Sequence, residues 1–250
     1  MKFKDFDKQM RQYELVRDTF IPTGGYTIVR LDGRSFSKLT NRKGYAKPFD
    51  DRFKDAMSQV AAELMKCGFD VRFIYVQSDE INILFDDECT TFNRKERKWL
   101  SILAGVASSV MSHCINCMAV FDARVIWLPD AEACNHYFTW RQGDSERNCL
   151  NSYCYWTLIN NGMSKHKAAS KLDHMKYDDK LDLLTQYGIN YDTVPLWHKY
   201  GYGFYWKQYE KTGRNGEKVT RMRVWRDEEL PHSYFFKFIL ETTKQNESHD

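Results

Sequence analysis

Val71-Arg72-Phe73-Ile74-Tyr75-Val76-Gln77-Ser78-Asp79-Glu80-Ile81-Asn82-Ile83-Leu84-Phe85 reads as two strands and the turn that joins them. Val71 to Val76 and Ile81 to Phe85 are rich in β-branched and aromatic residues, and Ser78-Asp79 between them predicts a tight turn and an antiparallel pair. Upstream, Tyr26 to Leu31 is another short and nearly continuous apolar run, the pattern of a central strand, stopped by Asp32-Gly33. Asp32 is thereby placed at a strand's carboxyl end. Between these strands, Arg34 to Lys47 reads as a basic loop. Pro48, with Asp50 or Asp51 as N-cap, then opens a helix to about Cys67 that turns Phe53, Met57, Val60, Ala61 and Leu64 inward.

Downstream, a long helix from about Arg94 to Cys117 precedes a strand from Ala119 to Leu128. The order strand, helix, strand, strand, helix, strand predicts an α+β chain built on a ferredoxin-like βαββαβ unit, an antiparallel sheet with two helices on one face. Asp5 to Thr19 has apolar residues at helical spacing (Phe6, Met10, Tyr13, Val16) and is expected to be an amphipathic lead-in helix. After residue 130 the pattern changes to aromatic and amide-rich helices, Ala131 to Gln142 and about Ser145 to Asn160, with Gly162 as C-cap. Two β-rich runs between Gly201 and Trp225 flank Gly213-Arg214-Asn215-Gly216, a hairpin turn. The expected division is a catalytic lobe over residues 1–130 and a helical and hairpin extension over 131–250 packed on it, unless the two form one continuous domain.

A chain of 250 residues with 42% hydrophobic content can bury a full core. Its 37 Lys and Arg against 34 Asp and Glu leave too small a positive balance for indiscriminate coating of nucleic acid, so any basic surface must be local. The seven cysteines, odd in number and irregularly spaced, read as reduced thiols of a cytoplasmic protein. The first residues lack the apolar run of a signal peptide, and no window approaches the roughly 20 apolar residues of a membrane span.

In a βαββαβ sheet the first strand and the central hairpin are neighbours, so Asp32 and Asp79 can meet at one edge despite their distance in sequence. Two such carboxylates suit Mg²⁺, whose octahedron is completed by waters and substrate phosphates, and Gly33 lets a backbone carbonyl approach. Two ions about 4 Å apart can activate a hydroxyl and neutralise a leaving pyrophosphate. Asp-Gly and Ser-Asp-Glu are also ordinary turn sequences; it is their joint placement at strand ends that points to a site. Arg94, Lys95, Arg97 and Lys98 open the long helix with the charge its dipole disfavours, which leaves either an anionic partner or a solvated end offset by Glu96. Cys114 and Cys117 beside His113 could hold zinc, but residues three apart in a helix more often pack as small thiols. Trp140, Tyr153, Tyr155 and Trp156 could stack on bases or fill a core, and His198 to Tyr205 has no assigned role.

Arg30-Leu31-Asp32-Gly33-Arg34-Ser35-Phe36, Tyr45-Ala46-Lys47-Pro48, Gln77-Ser78-Asp79-Glu80, Phe121-Asp122-Ala123-Arg124-Val125 and Trp140-Arg141-Gln142 resemble, in that order, the motifs of the tRNA-His guanylyltransferase family. The resemblance covers roughly residues 1–195. It implies a polymerase-like palm and a nucleotidyltransferase that adds nucleotides to the 5′ end of tRNA in the 3′-to-5′ direction, after activation of a 5′-monophosphate end with ATP or GTP. It implies Asp32, the Gly33 carbonyl and Asp79 as ligands of two Mg²⁺ ions, with Asp32, Asp79 and Glu80 in the catalytic set. Nucleotide-binding positions carried over are Asp32, Gly33, Arg34, Ser35, Phe36, Ser37, Ser78 and Asp79, with Lys47, Lys98 and Arg124 at phosphates. Partners implied are tRNA and nucleoside triphosphates, in a homotetramer without a membrane.

The chain departs from the family in two places. Members devoted to tRNA-His carry His-Ile-Asn-Asn shortly after Trp-Arg-Gln, where Glu146-Arg147-Asn148-Cys149 stands here, and Ser37 replaces a histidine after Asp-Gly-Arg. Both departures resemble the guanylyltransferase-like branch, whose expected activity is templated repair of 5′-truncated tRNAs. The alternatives are addition of one guanosine to tRNA-His, a palm-type nucleotidyl cyclase and a non-catalytic RNA-binding module.

Overall fold

The computed structural model describes residues 2–212 and 217–230. Its centre is an antiparallel sheet in which β1 (Tyr26–Gly33) lies between β4 (Phe121–Leu128) and β3 (Glu80–Phe85), and β3 pairs with β2 (Val71–Gln77). The order β4-β1-β3-β2 is the ferredoxin-like arrangement expected from the sequence, and β5 (Tyr202–Thr212) and β6 (Lys218–Asp227) extend it beyond β2 to six strands. β5 and β6 pair as far as Thr212 opposite Lys218, while the turn at Gly213–Gly216 lies outside the described residues.

One face of the sheet is covered by α3 (Asp51–Leu64) and α4 (Glu96–Ile115), whose Met57, Val60, Leu64, Trp99, Leu103 and Met111 pack on Val29, Leu31, Ile74 and Ile83. All ten side chains are essentially inaccessible, and burying one Val-, Leu- or Phe-sized group stabilises a fold by roughly 1.5–3 kcal/mol. The other face, with Tyr26, Ile28, Phe73, Tyr75 and Leu84, is covered by Cys134, Tyr137 and Phe138 of α5 (Ala131–Asn160). The far half of α5 forms a satellite core with α6 (Lys165–Asp173) and α7 (Tyr177–Gln186).

Four local expectations change. The basic segment after Arg34 contains a short helix, α2 (Phe36–Arg42), because Phe36, Leu39 and Thr40 fall on one buried face while the charges point outward. The long helix begins at Glu96 and not at Arg94: Phe92, Asn93 and Arg94 have positive φ, and the Arg94 guanidinium is buried, donating to the carbonyls of Ile21, Pro22 and Cys89 and to Thr27 Oγ1. The two helices expected after residue 130 are one of 30 residues. Asp144 bridges Gly143 by pairing with Arg141 and Arg147, and nothing crowds the glycine. The lead-in helix forms as α1 (Phe3–Leu15), but its apolar stripe, Phe6, Met10 and Tyr13, is exposed. Gly162 does end α5, with φ at +88°.

Candidate active site

Strand pairing brings the acidic segments together. Asp32 lies opposite Glu80 of β3 and opposite Asp122 of β4, so the three side chains share a face of the sheet, the one that α5 covers. The Ser78-Asp79 turn closes against the end of β1, where the Gly33 N–H donates to the Asp79 carbonyl at 3.2 Å. Ser78 holds a left-handed conformation (φ 48°), and its hydroxyl donates to Asp79 Oδ1 at 3.1 Å. Gly33 is required by packing: a Cβ there would fall 2.6 Å from the ring of Phe36.

The carboxylates crowd one another. Burial, then the charge of Asp32, pushes the Asp79 carboxyl up to about 6. Asp32 is also raised, first by burial and then by Glu80 and Asp122, against the pull of Arg30 and Arg124. Glu80 is more fully engaged, since its Oε1 accepts from Gln77 Nε2 (3.0 Å), Asn82 Nδ2 (2.8 Å) and Arg141 Nε (2.9 Å). Arg141 reaches on to Asp144 at 2.6 Å, and Tyr137 donates to Asn82 at 2.6 Å, so α5 clamps the start of β3 through a continuous polar network.

Two clefts open on either side of Ser78-Asp79. One, of about 250 Å³, runs along α2 past Ser37, Thr40 and Asn41 to Lys47, Lys54 and Trp156. Lys47 Nζ donates to Thr40 Oγ1 at 2.7 Å, and burial lowers its pKa against the opposing charges of Asp50 and Asp79. Asp50 fixes the rim by accepting from the backbone N–H of Ala46 (2.7 Å) and Arg52 (2.8 Å); the Arg52 guanidinium holds its carboxyl well below the usual carboxylate range. The second cleft, of about 280 Å³, is walled by Asp32, Asp79 and Glu80 on one side and by Arg141, Ser145, Asn148 and Ser152 of α5 on the other.

Of the residues expected at the site, Asp32, Gly33, Ser78, Asp79 and Glu80 meet at this sheet end, with Lys47 on the rim and Arg124 two residues beyond Asp122 in β4, on the same face as Asp32. Arg34 and Ser35 are exposed just beyond β1, and Ser37 lines the first cleft. The Phe36 side chain is in the core against Phe53 and Phe121, and the residue, nearly inaccessible, forms part of the wall of the first cleft. Lys98 does not join the others within one chain. It sits in the first turn of α4, and that start pairs with residues 19–21 at the opposite end of the sheet. The basic cluster there is already compensated, since Lys95 and Arg97 bind Asp18 at 2.6 and 2.7 Å and Arg94 serves the core. Arg141 and Asn148 stand in segments that the sequence singles out, but the wall they form with Ser145 and Ser152 does not show there, because the reading breaks α5 at Gly143 although the spacing is that of one helix face.

Hard oxygen donors so crowded that Asp32 raises Asp79, while Glu80 and Asp122 raise Asp32, are a fitting place for a divalent cation, which would relieve their repulsion. Among the described residues no three His, Cys, Asp or Glu side chains form a self-sufficient cage. That is compatible with Mg²⁺, which takes one or two carboxylates and fills its shell with water and phosphate. Cys114 and Cys117 are free thiols like the other five cysteines.

An antiparallel palm sheet with carboxylates converging at one edge beside a lysine-rimmed cleft has the layout of the palm-type nucleotidyltransferases. Residues 7–129 match the family model described as tRNAHis guanylyltransferase, and residues 132–245 match that of the Thg1 C-terminal domain. The tRNA(His) guanylyltransferase of Debaryomyces hansenii is 31% identical over 88% of this chain and 86% of its own. Two structures of a bacterial tRNA(His) guanylyltransferase-like protein superpose over 96% of this chain. The complex with GTP has a TM-score of 0.72 at 27% identity over 98% of that chain, and the complex with ATP has 0.76 at 25% over 97%. The chain belongs to the tRNA-His guanylyltransferase family and is a nucleotidyltransferase of that family. The cyclase and the non-catalytic module lose their footing with that assignment. No helix among the described residues is long and apolar enough to cross a membrane.

Proposed function

We propose that this protein adds nucleotides to the 5′ end of tRNA in the 3′-to-5′ direction, and that its task is templated repair of 5′-truncated tRNAs. The observation that carries the chemistry is the convergence of Asp32 and Asp79 at the end of β1 and the β2–β3 turn, between two clefts. In this reading Asp32, Asp79 and the Gly33 carbonyl hold two Mg²⁺ ions. Bound there, the ions supply Lewis-acid activation of a 3′-hydroxyl and neutralisation of a leaving phosphate.

The chain's own residues position the reactants. Lys47 and Arg124 attract phosphate oxygens, and Gly33 to Ser37 with Ser78 run beside the nucleotide, Phe36 as a buried support of that segment. Glu80, clamped by Arg141, Gln77 and Asn82, fixes the turn that carries Asp79. A 5′-monophosphate end takes a nucleotidyl group from ATP or GTP with release of pyrophosphate. The 3′-hydroxyl of an incoming triphosphate then attacks the activated 5′ phosphate and displaces the nucleoside monophosphate. In-line displacement needs positioning and charge neutralisation more than a dedicated base. That bacterial relatives were solved with GTP and with ATP supports triphosphates as substrates here.

For repair over single guanosine addition, the support is the segment Glu146–Cys149. Glu146 accepts from the Tyr177 and Tyr200 hydroxyls, Arg147 pairs with Asp144, and Cys149 is buried, so this turn of α5 braces its neighbours and presents no imidazole. The test is extension of a panel of 5′-truncated tRNAs with Mg²⁺, ATP and all four triphosphates. Addition of bases complementary to the opposite strand across several tRNA identities is expected; strict dependence on the tRNA-His anticodon would overturn the assignment.

A further inference from the structure

α8 (Leu196–Tyr200) delivers His198 to the cleft that Asp32 and Asp79 line. Phe49 stacks on the imidazole with ring centroids 4.2 Å apart and planes at 11°, and Trp197 meets it edge-on at 3.9 Å. The Nδ1 atom lies 2.7 Å from the Tyr153 hydroxyl, a phenol that burial keeps protonated with its pKa pushed up to about 12 and that can donate to this nitrogen. Burial also lowers His198 to about 4, so the ring is neutral at pH 7. A neutral imidazole that accepts at Nδ1 carries its proton on Nε2. No partner for Nε2 exists among the described residues.

We propose that His198 is a ligand-contact residue whose Nε2–H donates to an oxygen of the sugar or base of a nucleotide seated beside Asp79. This deepens the nucleotide-addition reading and rests on it. The rest of that cleft has the matching chemistry: Ser145, Asn148 and Ser152 offer hydroxyls and an amide, and its one guanidinium, Arg141, is engaged by Glu80 and Asp144. Neutral donors suit a ribose or a base edge, whereas Lys47 puts the phosphate-seeking charge in the cleft across Ser78-Asp79, where Lys54 is held by Asp51 and Glu228. Phe49 and Tyr153 clamp the ring as a preformed donor, which limits the entropy lost on binding. The same nucleoside chemistry arrives from either of two sources, the incoming triphosphate or the terminal nucleotide of the RNA.

The test pairs His198→Phe, which keeps the stack on Phe49 but has no donor, with His198→Gln, whose amide returns an N–H near Nε2. KM is measured in the 5′-extension assay for the triphosphate at saturating RNA, and for the RNA at saturating triphosphate. Loss of one neutral hydrogen bond predicts about a three- to tenfold rise in one of the two for H198F, largely recovered in H198Q. A rise for the triphosphate names the incoming nucleotide, a rise for RNA names the terminal nucleotide, and no rise in either overturns the proposal. Imidazole ¹⁵N NMR of the wild-type protein gives a readout independent of activity. The expected spectrum is the Nε2–H tautomer with an Nε2 shift on addition of GTP or of a 5′-truncated tRNA; an Nδ1–H tautomer, or no shift with either, also overturns it. An Nε2 shift without any 5′ extension would retain the nucleotide contact and remove the repair function instead.

Discussion

Replacing Arg141 with methionine should destabilise the fold by about 3 kcal/mol and disable nucleotide addition with it. The guanidinium is 6% exposed, holds Glu80 at 2.9 Å and Asp144 at 2.6 Å, and stacks over Trp140 with its carbon 4.3 Å from the ring centre. Hydrogen bonds to ionised groups contribute roughly 1.5–3 kcal/mol each, and removing one partner of a buried pair costs about 3–5 kcal/mol. Glu80 and Asp144 keep 15% and 20% of their side-chain exposure and Glu80 keeps Gln77 and Asn82 as donors, which argues for the low end. Methionine preserves most of the volume, so the loss is chiefly electrostatic. In a chain of this length about 3 kcal/mol corresponds to a fall in Tm of roughly 6–12 °C, readable by calorimetry or by tryptophan fluorescence in guanidinium at pH 7. Glu80→Gln removes the charge that would then be left with Arg30 alone, at 3.9 Å, so the double variant should recover at least about 1 kcal/mol relative to additivity. A loss below about 1 kcal/mol for R141M, or strict additivity with E80Q, would refute the view that Arg141 holds the start of β3.

Asp32→Asn and Asp79→Asn should each lower 5′ extension on the order of a thousandfold or more while tRNA binding by filter assay is largely retained. With divalent ions chelated, both variants should be at least as stable as wild type at pH 7, since burial and neighbouring carboxylates raise both carboxyls. His198 is held neutral with its pKa lowered to about 4, so its contribution is complete above the unfolded pKa near 6.5 and is lost as pH falls towards 4. Between those values wild type should lose about 1–2 kcal/mol more stability than H198F, a figure discounted because the ring is half-buried; equal acid profiles in urea titrations would contradict this. Arg94→Met should cost about 3 kcal/mol in folding yet leave the triphosphate KM within about twofold, because the guanidinium serves loop carbonyls at the opposite sheet end; a selective rise in KM would restore an anion-binding role.

The sequence by itself determined the sheet and the pair at its edge. Tyr26 to Leu31 and Val71 to Phe85 are apolar runs cut by acidic turns, and because side chains repeat with the backbone's own period, their strand character and the position of Asp32 and Asp79 at strand ends were legible without any partner. The ordered motifs likewise carried the family. Only the tertiary structure decided what the charges near these elements do. Arg94, Lys95 and Arg97 look alike as a basic run, yet one is buried among carbonyls and two are held by Asp18, because contacts 70 residues or more apart in sequence leave no local trace. Phe36 reads as part of a nucleotide loop and is core. Glu80, apparently a third free carboxylate, is taken up by Arg141 from a helix whose continuity through Gly143 local propensity disfavours. Long-range burial and pairing outweigh local preference, and they alone placed Ser145, Asn148 and His198 opposite the acidic edge.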